Sequence, residues 1–391
     1  MKKDKSDSYS RTIVRLLTNA VRFRRARLKA VPLRPEVISL ALTIRCNSHC
    51  VMCNMWRQAS QIADIADVEL SGDEILKLLS RSLFSDLVEL DLTGGEPHLR
   101  DDLVETVLRI AGLHKEYLPR LRSIVITSNG LMPERIVANY RSILEGIRDS
   151  GIDLVSVASL DGIGEVHDRI RGTKGAYKLA MQTLDGLAEL KKDYHGYYVG
   201  VKTTVLPQNI DNLPAILEYA RKKGFFHIIS PVFFTESRFR NAEKRDSLEL
   251  SPADRDKLLK FYGNDEFDTS YFYTRIRNYL ATGEKCWSCT AAYNYLFIDY
   301  DGIVYPCELL SEPIGNIREK DIEEIWNSEK AREWREKIDG LDECRACVEP
   351  GAVRYSACAE GLSYLGFLRE LGKKRYIDSF SGEGFIKYMQ E

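Results

Sequence analysis

Three cysteines near the start, Cys46, Cys50 and Cys53, stand three and then two residues apart, directly after the apolar run Val37 to Ile44. A loop that short can turn all three sulfurs onto one centre. Thiolates are soft ligands that favour zinc, copper(I) or iron–sulfur clusters. A cubane cluster usually takes four cysteines. Three in one tight loop would hold three irons and leave the fourth open. A zinc knuckle or three buried thiols are plainer readings of the same spacing. The other six cysteines, Cys286, Cys289, Cys307, Cys344, Cys347 and Cys358, form a second group, and more than two hundred residues between the groups contain none. An odd total of nine, at metal-site spacings, is not a secreted disulfide framework. It implies two sulfur-ligated sites in a reducing compartment.

A second chemical stretch is Asp91-Leu-Thr-Gly-Gly-Glu-Pro97. Its glycines let backbone approach a ligand closely, and its acid can receive an ammonium group. Two further polar segments follow apolar runs: Ile126-Thr-Ser-Asn-Gly130, and Ser156-Val-Ala-Ser-Leu-Asp-Gly162 leading into Glu165-Val-His-Asp-Arg-Ile-Arg-Gly172. In the second cysteine group, Asp301-Gly302 between two apolar runs is a hairpin signal that brings Cys289 and Cys307 to neighbouring strand ends.

These residues need a frame. Short runs rich in Val, Ile and Leu read as strands buried on both faces: Val37–Ile44, Leu87–Leu92, Ser123–Thr127, Leu154–Ser159, Tyr198–Leu206 and Phe226–Phe233. Helices alternate with them: Asp73–Leu83, Asp101–Ala111, Pro133–Ile147, Tyr177–Leu190 and Asn212–Lys222. Such alternation implies an α/β fold with a parallel sheet and right-handed crossovers. Six units are short of the eight that close a full barrel, so the expected architecture is a partial (β/α)6 TIM-like barrel with its chemistry at the C-terminal strand ends. The cysteine loop lies at the first such end. A small hairpin-plus-helix auxiliary domain follows, its helix running from about Ile322 to Ile338. The expected domains are a basic N-terminal helix in 1–35, the barrel in 36–235, a helical linker in 236–283, the auxiliary domain in 284–365 and a tail in 366–391.

The N-terminal helix, 8–30, carries an apolar stripe of Ile13, Leu16, Leu17, Ala20 and Phe23, with seven basic residues from Arg11 to Lys29 and no acid among them. It either docks on the outside of the next domain or is drawn to an anionic surface, membrane or polyanionic substrate. The chain as a whole, 391 residues at formal net charge −2, has no field that argues for nucleic acid. No apolar run approaches the ~18 residues of a membrane span, and the polar N-terminus lacks a signal peptide's apolar region. A cytoplasmic protein is expected.

Cys-x3-Cys-x2-Cys after a first strand, with Gly94-Gly-Glu-Pro97 after the second, resembles the radical S-adenosylmethionine (radical SAM) superfamily. The resemblance implies a 4Fe–4S cluster on Cys46, Cys50 and Cys53, with SAM chelating the open iron. It implies that Gly94, Gly95, Glu96 and Pro97 hold the SAM amino group, that Ser128 and Asn129 line the site, and that Ser159 and Arg171 contact the ribose or carboxylate. Arg169 is the alternative to Arg171, and Asn129-Gly130 can also be read as a simple turn. Met52 stands where the family usually has an aromatic or bulky residue near the adenine. Cys289-x12-Gly302-x4-Cys307 followed by Cys-x2-Cys resembles the auxiliary-cluster extension called SPASM, or its shorter form twitch. That implies one auxiliary 4Fe–4S cluster on Cys289, Cys307, Cys344 and Cys347. Cys286-x2-Cys289-x17-Cys307 also resembles the three-ligand cluster of the enzyme that begins molybdopterin synthesis, which leaves Cys286 and Cys358 open. Tetrahedral zinc suits four cysteines as well.

The family chemistry is reductive cleavage of SAM to a 5′-deoxyadenosyl radical that abstracts a hydrogen atom from substrate. An electron donor such as flavodoxin or ferredoxin is implied. Oxidation or rearrangement of a small molecule ranks ahead of peptide or protein maturation, because about thirty-six residues before the first strand are too few for a leader-binding domain. A hydrophobic substrate ranks third. Asp299 or Glu308 is a candidate proton acceptor. The reading of another class is a non-catalytic iron–sulfur scaffold, to which a SAM-binding motif would be of no use.

Overall fold

The computed structural model describes residues 5–372, 375, 376, 379 and 384–389. Two compact units divide the chain: Arg34–Ser251 with Leu296–Trp326, and Met1–Leu33 with Pro252–Tyr295 and Asn327–Glu391.

The first unit is built on one sheet. Its strands are β1 (Val37–Thr43), β2 (Glu89–Gly94), β3 (Ser123–Ser128), β4 (Asp153–Ser159), β5 (Tyr197–Val205), β6 (Phe226–Pro231), β7 (Tyr295–Ile298), β8 (Ile303–Tyr305) and β9 (Gly315–Asn316). Their order is β6-β5-β4-β3-β2-β1-β7-β8-β9. β1 to β6 pair in parallel, each with its sequence neighbour. This is the partial barrel expected from the alternation, and it is not closed. β1 is buried at every residue, as a strand covered on both faces must be. Crossover helices Gly72–Leu79, Leu103–Gly112, Pro133–Ile147, Ala176–Asp193 and Leu213–Lys223 connect the strands. The first of these starts with a reciprocal cap between Ser71 and Glu74, which satisfies two otherwise orphaned backbone donors.

Three expectations are revised. The hairpin β7–β8 extends the barrel's own sheet, beside β1. It therefore belongs to the barrel unit, and the auxiliary region 284–365 is split between the units. The physical cause is strand pairing, because β1 would otherwise present an open edge. The helix expected over Ile322–Ile338 is two, Ile322–Asn327 and Glu329–Lys337, since the Ser328 hydroxyl accepts from Ala331 N and restarts the helix. The N-terminal helix, Lys5–Leu28, lies in the second unit and packs on helices Pro350–Glu360 and Leu362–Leu371. The approach is close: a Cβ on Gly361 would stand 2.2 Å from the Leu16 carbonyl oxygen. Of the expected tail 366–391, part continues the helix to Leu371, Ile386–Met389 is helical, and the remainder lies largely outside the described residues.

Candidate functional site

The loop after β1 carries Cys46, Cys50 and Cys53, and each sulfur faces at least one donor. Asn129 Nδ2 points at Cys46 Sγ at 3.7 Å. Arg171 Nη1 lies 3.6 Å from Cys50 Sγ, and Ser48 Oγ lies 3.1 Å from the same sulfur. Met55 N donates to Cys53 Sγ at 3.5 Å. Hydrogen bonds to sulfur stabilise thiolate and tune cluster potential. Burial, aided by Cys50, pushes the Cys46 thiol up to about 12 and Cys53 up to about 11. Burial therefore holds these two thiols protonated, and binding a metal centre must displace their protons. Among the described residues no three His, Cys, Asp or Glu groups converge on a single-ion site. A cubane spreads its cysteines over separate irons and does not require that convergence. Three soft donors with their own hydrogen bonds fit such a cluster.

The loop is tied down by residues without a sequence signature. Asn241 Nδ2 donates to the Met52 carbonyl at 2.8 Å, and Lys244 Nζ to the Val51 carbonyl at 2.8 Å. Asn54 N donates to the Phe239 carbonyl at 2.9 Å. The segment after β6 thus straps the loop through main-chain carbonyls, which any residue can offer. That is why no pattern pointed to it. Met52 itself is buried in an apolar cluster with Ile170, Leu206 and Leu248.

Glu96 is fully buried. Its carboxylate accepts from His98 N at 3.1 Å, Ser128 Oγ at 3.1 Å and Asn129 N at 2.7 Å. Burial outweighs these bonds and pushes Glu96 up to about 7. A carboxylate has about four lone-pair sites, so three acceptances leave capacity for a cationic donor. Glu96, Ser128 and Asn129 are thereby one unit, and Asn129 Nδ2 joins it to the cysteine loop through Asn47 Oδ1 at 2.7 Å. What comes close to Gly94 and Gly95 is the chain itself: Cβ atoms there would meet the Thr43 and Arg45 carbonyl oxygens at 2.3 and 2.1 Å. Pro97 is buried and opens the short turn Pro97–Leu99. Ser159 is buried at the end of β4, in register with Lys202.

Arg171, not Arg169, is the inward arginine. Arg169 is exposed and lies near Glu165. Arg171 pairs with buried Asp161, Nη2 to Oδ2 at 2.5 Å. Burial works against its charge, but Asp161 and the Cys50 sulfur outweigh that and raise its pKa. Its Nε is buried without a hydrogen-bond partner. Its carbonyl also accepts from His49 N and Ser48 Oγ, at 3.0 and 3.1 Å. Asp161 lay inside a recognised segment, yet only the fold shows that it holds the arginine.

Further acids and cations lie on the sheet and hairpin. Burial raises the Asp91 carboxyl despite Lys202, Arg238 and the hydrogen bond from Ser39. Glu308 forms an ion pair with Arg238, which also donates to Thr93 Oγ1 at 3.0 Å. Asp299 is pushed up to about 6 from 3.8, chiefly by burial and further by Asp301, against the pull of Arg238 and Arg240. A carboxyl whose folded value lies above its unfolded one contributes stability that is complete below the unfolded value and lost as pH rises through the folded one. Asp299→Asn is therefore expected to gain on the wild type as pH rises from about 4 to about 7, by on the order of 2–3 kcal/mol. Urea midpoints across that range check this, and a constant difference between the two proteins sinks it.

In the second unit, Cys289, Cys344 and Cys347 share the field of Lys285. Asp339, in left-handed backbone at φ 71°, organises them: its carboxylate accepts from Cys289 N at 3.0 Å, Lys285 Nζ at 2.7 Å and Arg27 Nη1 at 3.1 Å. Cys286 instead faces Arg275 Nη1 at 3.4 Å. Cys358 is buried on helix Pro350–Glu360. Cys307, two residues after β8, belongs to the sheet unit. None of the nine cysteines is disulfide-bonded.

A radical SAM superfamily profile matches residues 40–226, and SPASM, an iron–sulfur cluster-binding domain, matches residues 286–348. The chain belongs to the radical SAM superfamily, as an enzyme with a SPASM domain that binds SAM, a 4Fe–4S cluster and auxiliary iron–sulfur. It is 29% identical over 341 residues to the AdoMet-dependent heme synthase of Methanosarcina barkeri, covering 80% of this chain and 88% of that protein. It is 26% identical over 354 residues to the pre-heme d1 synthase of Dinoroseobacter shibae, covering 83% and 79%. The solved structure of native anSMEcpe with bound AdoMet shares the fold at TM-score 0.54 and 17% identity, covering 88% of this chain and 99% of that one. No helix among the described residues is long and apolar enough to cross a membrane.

Proposed function

We propose that this enzyme abstracts a hydrogen atom from a small molecule, and that a carboxylate-bearing, haem-type macrocycle is the first substrate to try. The observation that carries the site assignment is the donor set of the first loop: three thiols, each with its own hydrogen-bond donor, beside a buried acid and a buried arginine. In this reading Cys46, Cys50 and Cys53 hold the SAM-binding cluster. Glu96 takes the SAM amino group at its remaining lone pair. Arg171 Nε, left without a partner, takes the carboxylate. Ser128, Asn129 and Ser159 line the pocket, with Met52 near the adenine. Gly94, Gly95 and Pro97 fix the turn that aims Glu96. When bound, the cluster and SAM supply a 5′-deoxyadenosyl radical. Asp299 is the proton acceptor, its value near 6 suiting transfer close to neutral pH. Cys289, Cys344 and Cys347 hold one auxiliary cluster, with Cys307 the fourth ligand that the sequence pattern supplies. The substrate class rests on two relatives named for haem. The electron donor is a flavodoxin or ferredoxin, and the compartment is the cytoplasm.

Anaerobic reconstitution with SAM and dithionite tests the reading. Release of 5′-deoxyadenosine is expected, with deuterium transferred from perdeuterated porphyrin carboxylates. A cluster-loaded protein that releases none is a scaffold. Deuterium arriving from a peptide and not from a porphyrin overturns the substrate class.

A further inference from the structure

We infer that the outward face of the N-terminal helix docks on an anionic lipid bilayer. The helix Lys5–Leu28 has two apolar stripes. Leu16, Ala20, Phe23 and Ala26 are buried within the second unit. On the opposite side Val14, Leu17, Val21 and Leu28 are 63%, 44%, 50% and 88% exposed. Their spacing of three, four and seven places all four on one helix face. The concentration is local: with Val31, they make five of the nine exposed large hydrophobic residues among the described residues. A contiguous exposed apolar stripe on a protein surface marks an interaction site.

Charge identifies the partner. From Arg11 to Lys29 the chain carries seven cations and no acid, while the whole chain sums to −2. Arg24 and Arg25 are exposed on the two sides of the apolar face. An in-plane helix of this kind sinks its apolar stripe to the acyl boundary while Arg24 and Arg25 meet lipid phosphates. A second copy of the chain fits poorly, because it would press one cationic helix against another. A nucleic acid or other soluble polyanion would satisfy the arginines but leave the apolar stripe in water. This inference does not depend on the substrate proposed above.

Co-sedimentation of the full-length holoenzyme with vesicles tests it, using phosphatidylcholine alone or mixed with phosphatidylglycerol. Binding is expected only to the mixed vesicles, and it should be released by high salt. Arg24→Gln/Arg25→Gln should weaken partition by roughly twenty-five-fold, about fivefold per cation. Leu17→Gln/Val21→Gln should weaken it as well, with helical content unchanged by circular dichroism. Equal binding to neutral vesicles, or no binding to either, overturns the inference. So does a concentration-dependent dimer in sedimentation velocity that Leu17→Gln/Val21→Gln abolishes, since the stripe would then face a second copy.

Discussion

Asp161→Asn is expected to lower the unfolding free energy by about 3–5 kcal/mol and to leave the first cysteine loop unable to retain its cluster. Both partners of the pair are buried, with Arg171 and Asp161 side chains 9% and 0% exposed. An arginine cannot shed its proton to escape the loss, so asparagine strands a full charge in the interior. Asp161 is also a tether. Its Oδ1 accepts from Thr204 N at 2.8 Å, its backbone N donates to His167 Nδ1 at 3.0 Å, and its carbonyl accepts from Asn209 Nδ2 at 2.8 Å. Burial holds His167 down at about 4, which keeps its ring neutral and able to accept. The stranded arginine is the same residue whose carbonyl anchors His49 and Ser48. Instability and cluster loss should therefore appear together. Denaturation curves and iron content after anaerobic reconstitution measure the two effects. Adding Arg171→Met to Asp161→Asn should recover part of the stability, because an absent charge costs less than an unpaired one. It should not recover the iron if the guanidinium also serves Cys50. A single variant as stable as the wild type, or a double variant less stable than the single, sinks this account.

The contrast between what could and could not be read in the chain follows from the range of each interaction. β1 to β6 were legible because each centres on a short run rich in Val, Ile and Leu, as strands of a covered parallel sheet do. The cysteine loop was legible because thiols that share a centre must be close in sequence when one loop supplies them. Arg169 and Arg171 were not told apart in the sequence; they stand roughly half a turn apart on helix Glu165–Arg171, which sets one outward near Glu165 and the other inward to Asp161. Asn241 and Lys244 could not be found at all. They bind main-chain carbonyls some 190 residues earlier in the chain, and a carbonyl leaves no mark on residue identity. The hairpin was legible from Asp301-Gly302, but its attachment beside β1 was not, since edge pairing depends on backbone and not on side-chain type.

Gly95→Ala should be among the most damaging single methyl additions in the barrel, with an expected loss of more than about 3 kcal/mol. The added carbon would lie 2.1 Å from the Arg45 carbonyl oxygen and 2.8 Å from that of Ile44. Both are backbone atoms, so no side chain can swing aside. The crowded carbonyl is also in use, since Arg45 O accepts from Glu96 N at 2.8 Å, while Gly95 N donates to Thr43 O at 2.7 Å. These two bonds stitch the end of β1 to the end of β2. Pushing Arg45 away must therefore move Cys46, the next residue, and turn Glu96 out of its contacts with Ser128 and Asn129. Stability, cluster loading and SAM binding should fall together. Gly112→Ala is the matched control: it ends helix Leu103–Gly112 in helical backbone, and a Cβ there meets nothing within 4 Å. That change should be neutral or stabilise by about 0.4–1 kcal/mol. Equilibrium unfolding and SAM titration of the reconstituted variants separate the cases. If Gly95→Ala behaves like Gly112→Ala, the close approach of the two strand ends is not what the paired glycines are there to permit.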